Sequence, residues 1–224
     1  MSYQQNYCGK PPIPVDNSVE MGRNGVNFMK NINNVHQELL TAVETSAYKD
    51  KVIVFGEGAE NPALMMIGEA PGGDEEKQGR PFVGKAGKNL SAFLEVVGLK
   101  REEIYISNVV KLRPTKESPK TGKSVNRPPS SDEIAFFLPF LLEEIQVISP
   151  KVVVTLGNVP LKAVTGEKKA VIGDYHGKPT PLADGRTLFA LYHPAAVIYN
   201  RALQATYDDD LLELKAFLQK EGLV

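Results

Sequence analysis

Four short apolar runs, each stopping at a glycine or a polar residue, constrain what this chain can fold into more than any other feature. Ala63-Leu64-Met65-Met66-Ile67 stops at Gly68, and Ile104-Tyr105-Ile106 stops at Ser107-Asn108. Val152-Val153-Val154-Thr155-Leu156 stops at Gly157, and Thr187 to Tyr192 stops at His193-Pro194. Apolar runs without alternation suit strands covered on both faces, the usual state of a parallel sheet. Val52-Ile53-Val54-Phe55, closed by Gly56-Glu57-Gly58, reads as a further short strand. Segments of helical periodicity separate the runs. Phe28, Ile32, Val35, Leu39 and Val43 mark a helix over Val26 to about Tyr48, and Leu90, Phe93, Leu94 and Val97 mark one over Ala86 to Val97 with Gly98 as its stop. Ser130 and Glu133 form a capping-box signature ahead of a long apolar stripe that Pro139 should bend and Pro150 should end. Shorter helices are expected over Val159 to Val164 and from Asp208 to the C-terminus, whereas Pro114 to Pro129 reads as loop. Strands alternating with helices predict an α/β fold, a three-layer α/β/α sandwich around a short, mostly parallel four-stranded sheet.

With 224 residues, 42% of them apolar, the chain can fill one core. The expected organisation is a flexible leader over 1–25 and one domain over 26–224. No apolar run is long enough for a membrane span, and the polar leader lacks the apolar centre of a signal peptide, so a cytoplasmic, monomeric protein without membrane contact is expected. The single cysteine, Cys8, cannot by itself form an internal disulfide, a four-cysteine zinc site or an iron–sulfur cluster. A net charge of −1 is not that of a protein that wraps long DNA. Charge is uneven, however: Lys111, Arg113, Lys116, Lys120, Lys123 and Arg127 face Glu117 alone in one window, a local basic patch able to touch a phosphate backbone. Gly122-Lys123-Ser124 has the tail of a phosphate-binding loop but lacks its upstream glycine and strand, so nucleotide hydrolysis is set aside.

Ligands of open α/β sheets bind beyond the carboxyl ends of the strands. The segments there are Gly68-Glu69-Ala70-Pro71-Gly72, Asn108, Gly157-Asn158 and His193-Pro194, with Pro81-Phe82-Val83-Gly84 ahead of the first covering helix. A carboxylate, an amide, an aromatic ring and an imidazole would thus meet in one crevice. Three stretches, Gly68 to Gly72 with Asp74-Glu75-Glu76, Gly79 to Gly87, and Tyr105 to Lys111 with Arg113-Pro114, together with His193-Pro194-Ala195-Ala196, resemble the signature of family-four uracil-DNA glycosylases. The resemblance runs from about Gly56 to Arg201 in consistent order.

That resemblance implies a uracil-DNA glycosylase-like fold and a monofunctional enzyme that hydrolyses the N-glycosidic bond of flipped deoxyuridine in single- or double-stranded DNA. It implies that Phe82 stacks on the base and that Asn108 reads its edge, so that cytosine would mismatch at about 1–3 kcal/mol per contact. It gives His193 the 2-carbonyl of the departing base, a donor worth about 3 kcal/mol. Backbone of the Glu69-Ala70 turn and Gly72 would line the site, and Glu75 would crowd a thymine methyl. Val197 and Ile198 would wedge into the duplex, with Lys111, Arg113, Lys123, Arg127 and Arg201 on DNA. Glu69 is expected to orient water or stabilise the sugar cation, or else only to fix its turn. Two departures stand out. The family's four-iron four-sulfur cluster needs four cysteines, where this chain has Leu112, Phe137 and a cysteine-free Thr41 to Ser46, so no cofactor and no metal is expected. Asn126, in the long loop, stands near the position of a histidine that a related branch uses for covalent trapping, so trapping is not expected. His36 is expected to be inert, and His176-Gly177, where the family has Arg-Gly, to make a turn. Alternatives are a glycosylase for hypoxanthine or xanthine, or a non-catalytic DNA-binding relative.

Overall fold

The computed structural model describes residues 30–224. The expected leader, Cys8 and the first four residues of the predicted N-terminal helix lie outside them. In chain order the elements are α1 (Ile32–Glu44), β1 (Glu57–Gly58), β2 (Leu64–Gly68), α2 (Gly73–Gln78), α3 (Lys85–Val97), β3 (Tyr105–Asn108), β4 (Thr115–Glu117), β5 (Ser124–Asn126) and α4 (Ser131–Ile148). They continue with β6 (Val152–Leu156), α5 (Asn158–Thr165), α6 (Ile172–Tyr175), β7 (Pro179–Pro181), β8 (Thr187–Leu191), α7 (Pro194–Tyr199) and α8 (Gln204–Lys220).

The main sheet has the order β1-β3-β2-β6-β8-β7. Its centre is the four predicted strands, and all three pairings among them are parallel. The expected count of four is corrected to six, because β1 and β7 add short antiparallel edges. Both edges are of a kind that hydropathy does not mark. Gly58 comes so close to Ile104 that a Cβ there would stand 1.9 Å from its carbonyl oxygen. β7 is bracketed by Pro179 and Pro181, which suits an edge because proline has no N–H for a ladder. Val52 to Phe55, expected as a strand, lies outside the sheet, though the buried Val54 donates its N–H to the Lys111 carbonyl at 2.7 Å. The 114–129 segment, expected as loop, carries the β4–β5 hairpin.

Side chains alternate across the sheet as strand geometry requires. Leu64 and Met66 of β2, with Val152, Val154 and Leu156 of β6, pack on α3 and α8 through Leu90, Phe93, Leu94, Leu211, Leu214 and Leu218. Met65, Ile67 and Val153 point the other way, onto α1 and α4 through Leu39, Val43, Phe137, Leu141 and Ile145. Two helical layers therefore cover one sheet, as expected, and each fully buried aliphatic side chain contributes about 2 kcal/mol. The Ser130–Glu133 capping box forms, with Glu133 backbone N–H donating to Ser130 Oγ at 3.2 Å and Ser130 N–H to Glu133 Oε2 at 2.7 Å. α4 runs on through Pro139 and ends at Ser149 with φ 48°. No helix among the described residues is long and apolar enough to cross a membrane.

Candidate active site

The carboxyl ends of β2, β3 and β8 bring the predicted groups together. Gly68, last residue of β2, pairs in register with Asn108, last residue of β3. Their loops are stitched on by Val109 N–H to the Gly68 carbonyl at 2.9 Å and Val110 N–H to the Glu69 carbonyl at 3.1 Å. Asn108 is buried, and its side-chain oxygen and the Phe82 ring edge both lean over Gly68. A Cβ at Gly68 would stand 2.4 Å from Asn108 Oδ1 and 2.5 Å from Phe82 Cζ. The Phe82 and His193 rings lie 6.2 Å apart between centroids, tilted by 32°. Phe82, Asn108 and His193 thus share one site.

Each group is held in a definable state. His193 caps α7, and its Nδ1 accepts the Ala195 N–H at 3.1 Å. An accepting Nδ1 leaves the proton of the neutral ring on Nε2, so the outward nitrogen is a donor. Burial lowers the His193 pKa from 6.5, which keeps the ring neutral at pH 7. Glu69 is partly buried, has no side-chain partner among the described residues, and burial raises its pKa above 4.5. A desolvated carboxylate with a raised pKa and no side-chain partner marks a candidate general base. Gly157, at φ 93°, brings the end of β6 beneath His193, whose Cβ is 3.4 Å from where a glycine Cβ would be.

Glu75 binds main chain. Its Oε1 accepts the Val83 and Gly84 N–H groups at 3.0 and 2.8 Å, and its Oε2 accepts the Gly72 N–H at 3.1 Å. The carboxylate therefore ties the Gly72 turn to the Phe82 turn.

Several expected DNA contacts need correction. Lys111 is fully buried, donating from Nζ to Glu144 Oε2 at 2.5 Å, to Ser107 Oγ at 2.6 Å and to the Asn108 carbonyl at 2.8 Å, so it cannot reach a phosphate. Val197 is also buried, in the core against α3 and α8, and is not available as a wedge. Ile198, 43% exposed, and Tyr199, 87% exposed, are the apolar side chains that α7 presents to solvent. Arg113 bridges Glu76 at 3.0 Å and Asn126 Oδ1 at 2.7 Å, and Arg127 makes a two-point pair with Glu133 at 2.7 Å. Lys116, Lys120, Lys123 and Arg201 are exposed.

The remaining histidines are structural. His36, expected to be inert, stacks on Phe55 at 4.3 Å with Nε2 3.6 Å from Glu144 Oε1. His176 pairs with Asp210 at 2.9 Å, and Gly177, as expected of a turn, has φ 69°. Sequence reading missed Glu144 and Arg101. Glu144 had a signal, an acid beside Leu141, Ile145 and Ile148 on the buried stripe of α4. Arg101 had none, because its partners are distant in the chain.

The Uracil DNA glycosylase superfamily model matches residues 55–217. The chain belongs to the uracil-DNA glycosylase superfamily. It is 37% identical over 172 residues to the type-4 uracil-DNA glycosylase of Thermotoga maritima, covering 76% of this chain and 85% of that protein. It is 34% identical over 203 residues to the type-4 uracil-DNA glycosylase of Saccharolobus solfataricus, covering 87% and 90%. A DNA polymerase of Bacillus phage SP01 is 32% identical over 165 residues, which are 73% of this chain and 17% of the polymerase.

Proposed function

We propose that this chain is a uracil-DNA glycosylase, a monofunctional hydrolase that removes uracil from deoxyuridine swung out of DNA and leaves an abasic site. The observation that carries this reading is the convergence of the Phe82 ring, the Asn108 amide and the His193 imidazole at one set of strand ends. The type-4 relatives support it, and the similarity to part of a phage DNA polymerase fits a DNA substrate.

In the reaction the uracil stacks on Phe82, and its N3–H and 4-carbonyl pair with the carbonyl and NH2 of Asn108. The C1′–N1 bond breaks with its electron pair going into the base. His193 Nε2–H donates to the 2-carbonyl, where that charge gathers; a donor preplaced there is worth about 3 kcal/mol. The water oxygen bonds to C1′, and Glu69 takes its proton and passes it to solvent. Glu75 contributes by holding the Phe82 turn and by filling the space where a thymine methyl would enter. Ala70 and Gly72 form the turn wall. Ile198 fills the gap in the duplex, with Tyr199 beside it, and Lys123 and Arg201 meet phosphates.

The residues at the family's cluster-ligand positions do not fit an iron–sulfur group. Leu112 and Phe137 have no donor atoms and are packed in one apolar cluster with Leu39 and Val43, while Tyr48 sits against Phe136 at 4.9 Å and Phe137 at 5.7 Å. We read aromatic packing as the substitute for the cluster, so the purified protein should be colourless with no stoichiometric iron; four irons per chain would contradict this.

The activity test uses oligonucleotides bearing uracil, hypoxanthine or thymine, followed by alkaline cleavage of abasic sites. Cleavage is expected at uracil, in single strands and in U·G pairs alike, because recognition is of the extruded base. No cleavage at uracil would end the proposal, and cleavage only at hypoxanthine would move the enzyme to the alternative base choice.

The rate should be flat through neutral pH and fall on acidification. Glu69 works as carboxylate and is lost as pH falls through a pKa raised above 4.5; His193 works neutral and is lost only below 6.5. A single-turnover profile still flat at pH 4.5 would remove Glu69 from the chemistry.

A further inference from the structure

Phe82 has φ 52°, one of two non-glycine residues at positive φ among the described residues. A bulky L-residue keeps that conformation only where its surroundings impose it. In extended chain, successive carbonyl groups point to opposite sides. At this turn the carbonyls of Pro81 and Phe82 both point at one cation, the Arg101 guanidinium, at 2.5 Å from Nη2 and 3.1 Å from Nη1. On the other side of the turn, Glu75 accepts the N–H groups of Val83 and Gly84. Beneath it lies Gly87, where a Cβ would stand 1.9 Å from the Phe82 carbonyl oxygen. The turn is therefore held by a carboxylate on its donors, a guanidinium on its acceptors and a bare backbone below.

Arg101 lies in a single helical turn ahead of β3, outside the site, and is itself anchored. Glu57, on the edge strand β1, accepts from Arg101 Nη2 at 3.2 Å and takes Arg80 in a two-point pair at 2.9 Å. The guanidinium meets two carbonyl oxygens and a carboxylate from two nitrogens held in one plane, Nη1 on Phe82 and Nη2 on Pro81 and Glu57, whereas an ammonium would have to reach all three from a single nitrogen.

We propose that Arg101, anchored by Glu57, is a positioning residue for uracil recognition: it fixes the backbone turn of Phe82 and so the angle of the phenyl face that receives the base. The inference rests on the glycosylase reading for its consequence, but the clamp itself does not. β1 then serves the site although it is only two residues long, by carrying the acid that aims the arginine.

The test combines kinetics with amide hydrogen exchange in the whole chain. Arg101→Met should slow single-turnover excision by about tenfold to a hundredfold, the usual effect of displacing a reacting part by about 1 Å. Arg101→Lys, which keeps the charge and loses the fork, should fall between Arg101→Met and wild type. In a Phe82→Ala background, Arg101→Met should cost less than about threefold more, because both changes act through the same ring. Equal losses with and without Phe82, or no loss in the wild-type background, would overturn the proposal. Affinity for abasic DNA and the thermal midpoint, measured on the same proteins, separate misaimed stacking from a failed fold. Exchange at the Val83 and Gly84 amides should speed up in Arg101→Met whatever base the enzyme removes. Unchanged protection there would refute the clamp, whereas a wild-type protein inert on uracil with faster exchange in the variant would refute only the glycosylase reading.

Discussion

Gly68→Ala is expected to lower single-turnover uracil excision by at least about a hundredfold while the protein stays folded. The residue ends a β-strand and is not among the glycines at positive φ, so alanine brings no left-handed backbone strain. What it brings is one methyl group, 2.4 Å from Asn108 Oδ1 and 2.5 Å from the Phe82 ring, far inside van der Waals contact. Neither neighbour can give way easily. Asn108 is buried with its main-chain carbonyl bonded to Lys111 Nζ, and the Phe82 turn is pinned by Glu75 and Arg101. The methyl must therefore push the amide and the ring apart, which are the two groups that define the base site. Gly79→Ala is the matched control. Gly79 has φ 66° with nothing within 4 Å of a Cβ, so alanine should cost about 1 kcal/mol of stability and leave excision unchanged. If Gly68→Ala excised uracil within threefold of wild type, the site would not be where Phe82 and Asn108 meet.

The contrast between these glycines shows which parts of the molecule its sequence makes legible. The four central strands could be read because each is an apolar run with a sharp stop, and burial on both faces leaves no other use for such a run. Asn108 and His193 could be placed because they are the polar residues at those stops, and strand ends of a parallel sheet lie on one rim. The edges could not be read. Glu57–Gly58 and Pro179–Pro181 are short and mostly polar, and they join the sheet only through a close backbone approach and a proline-tolerant rim. The same limit applied to charges. Lys111, read as one more member of a basic patch, is buried on an acid where Lys123 is exposed, and that acid, Glu144, lies 33 residues further along the chain. Val197 and Ile198 are adjacent and both aliphatic; α7 turns the first into the core and the second out. Pairings that span the chain carry no periodicity, and those are the ones that bind the site to the scaffold.

Lys111→Met and Glu144→Leu, made singly, should each cost about 3–5 kcal/mol of unfolding free energy, and the double variant much less than their sum. The ammonium and carboxylate are both withdrawn from water. Burial draws the Lys111 pKa down against the upward pull of Glu144. Burial pushes Glu144 up, yet Lys111, His36 and Ser107 together hold it below its usual carboxylate range. Glu144 is therefore a carboxylate at neutral pH with the Lys111 Nζ as its partner, and deleting one member leaves the other polar group buried without that partner. Because the folded-state pKa of Glu144 lies below 4.5, its contribution is complete above that pH and is lost as acid protonates the carboxylate. Urea unfolding at pH 7 of the four proteins in the cycle measures the coupling; a single variant costing under about 1 kcal/mol would show that solvent reaches the pair. The consequence reaches the site by one bond. Lys111 Nζ holds the main-chain carbonyl of Asn108, the residue whose side-chain amide reads the base, at 2.8 Å. Glu144→Leu leaves that donor without its counter-ion, and Lys111→Met removes it. Lys111→Met should therefore slow excision more than Glu144→Leu when both are assayed where they remain fully folded. The reverse order would mean that the carboxylate, rather than the ammonium, sets the position of Asn108.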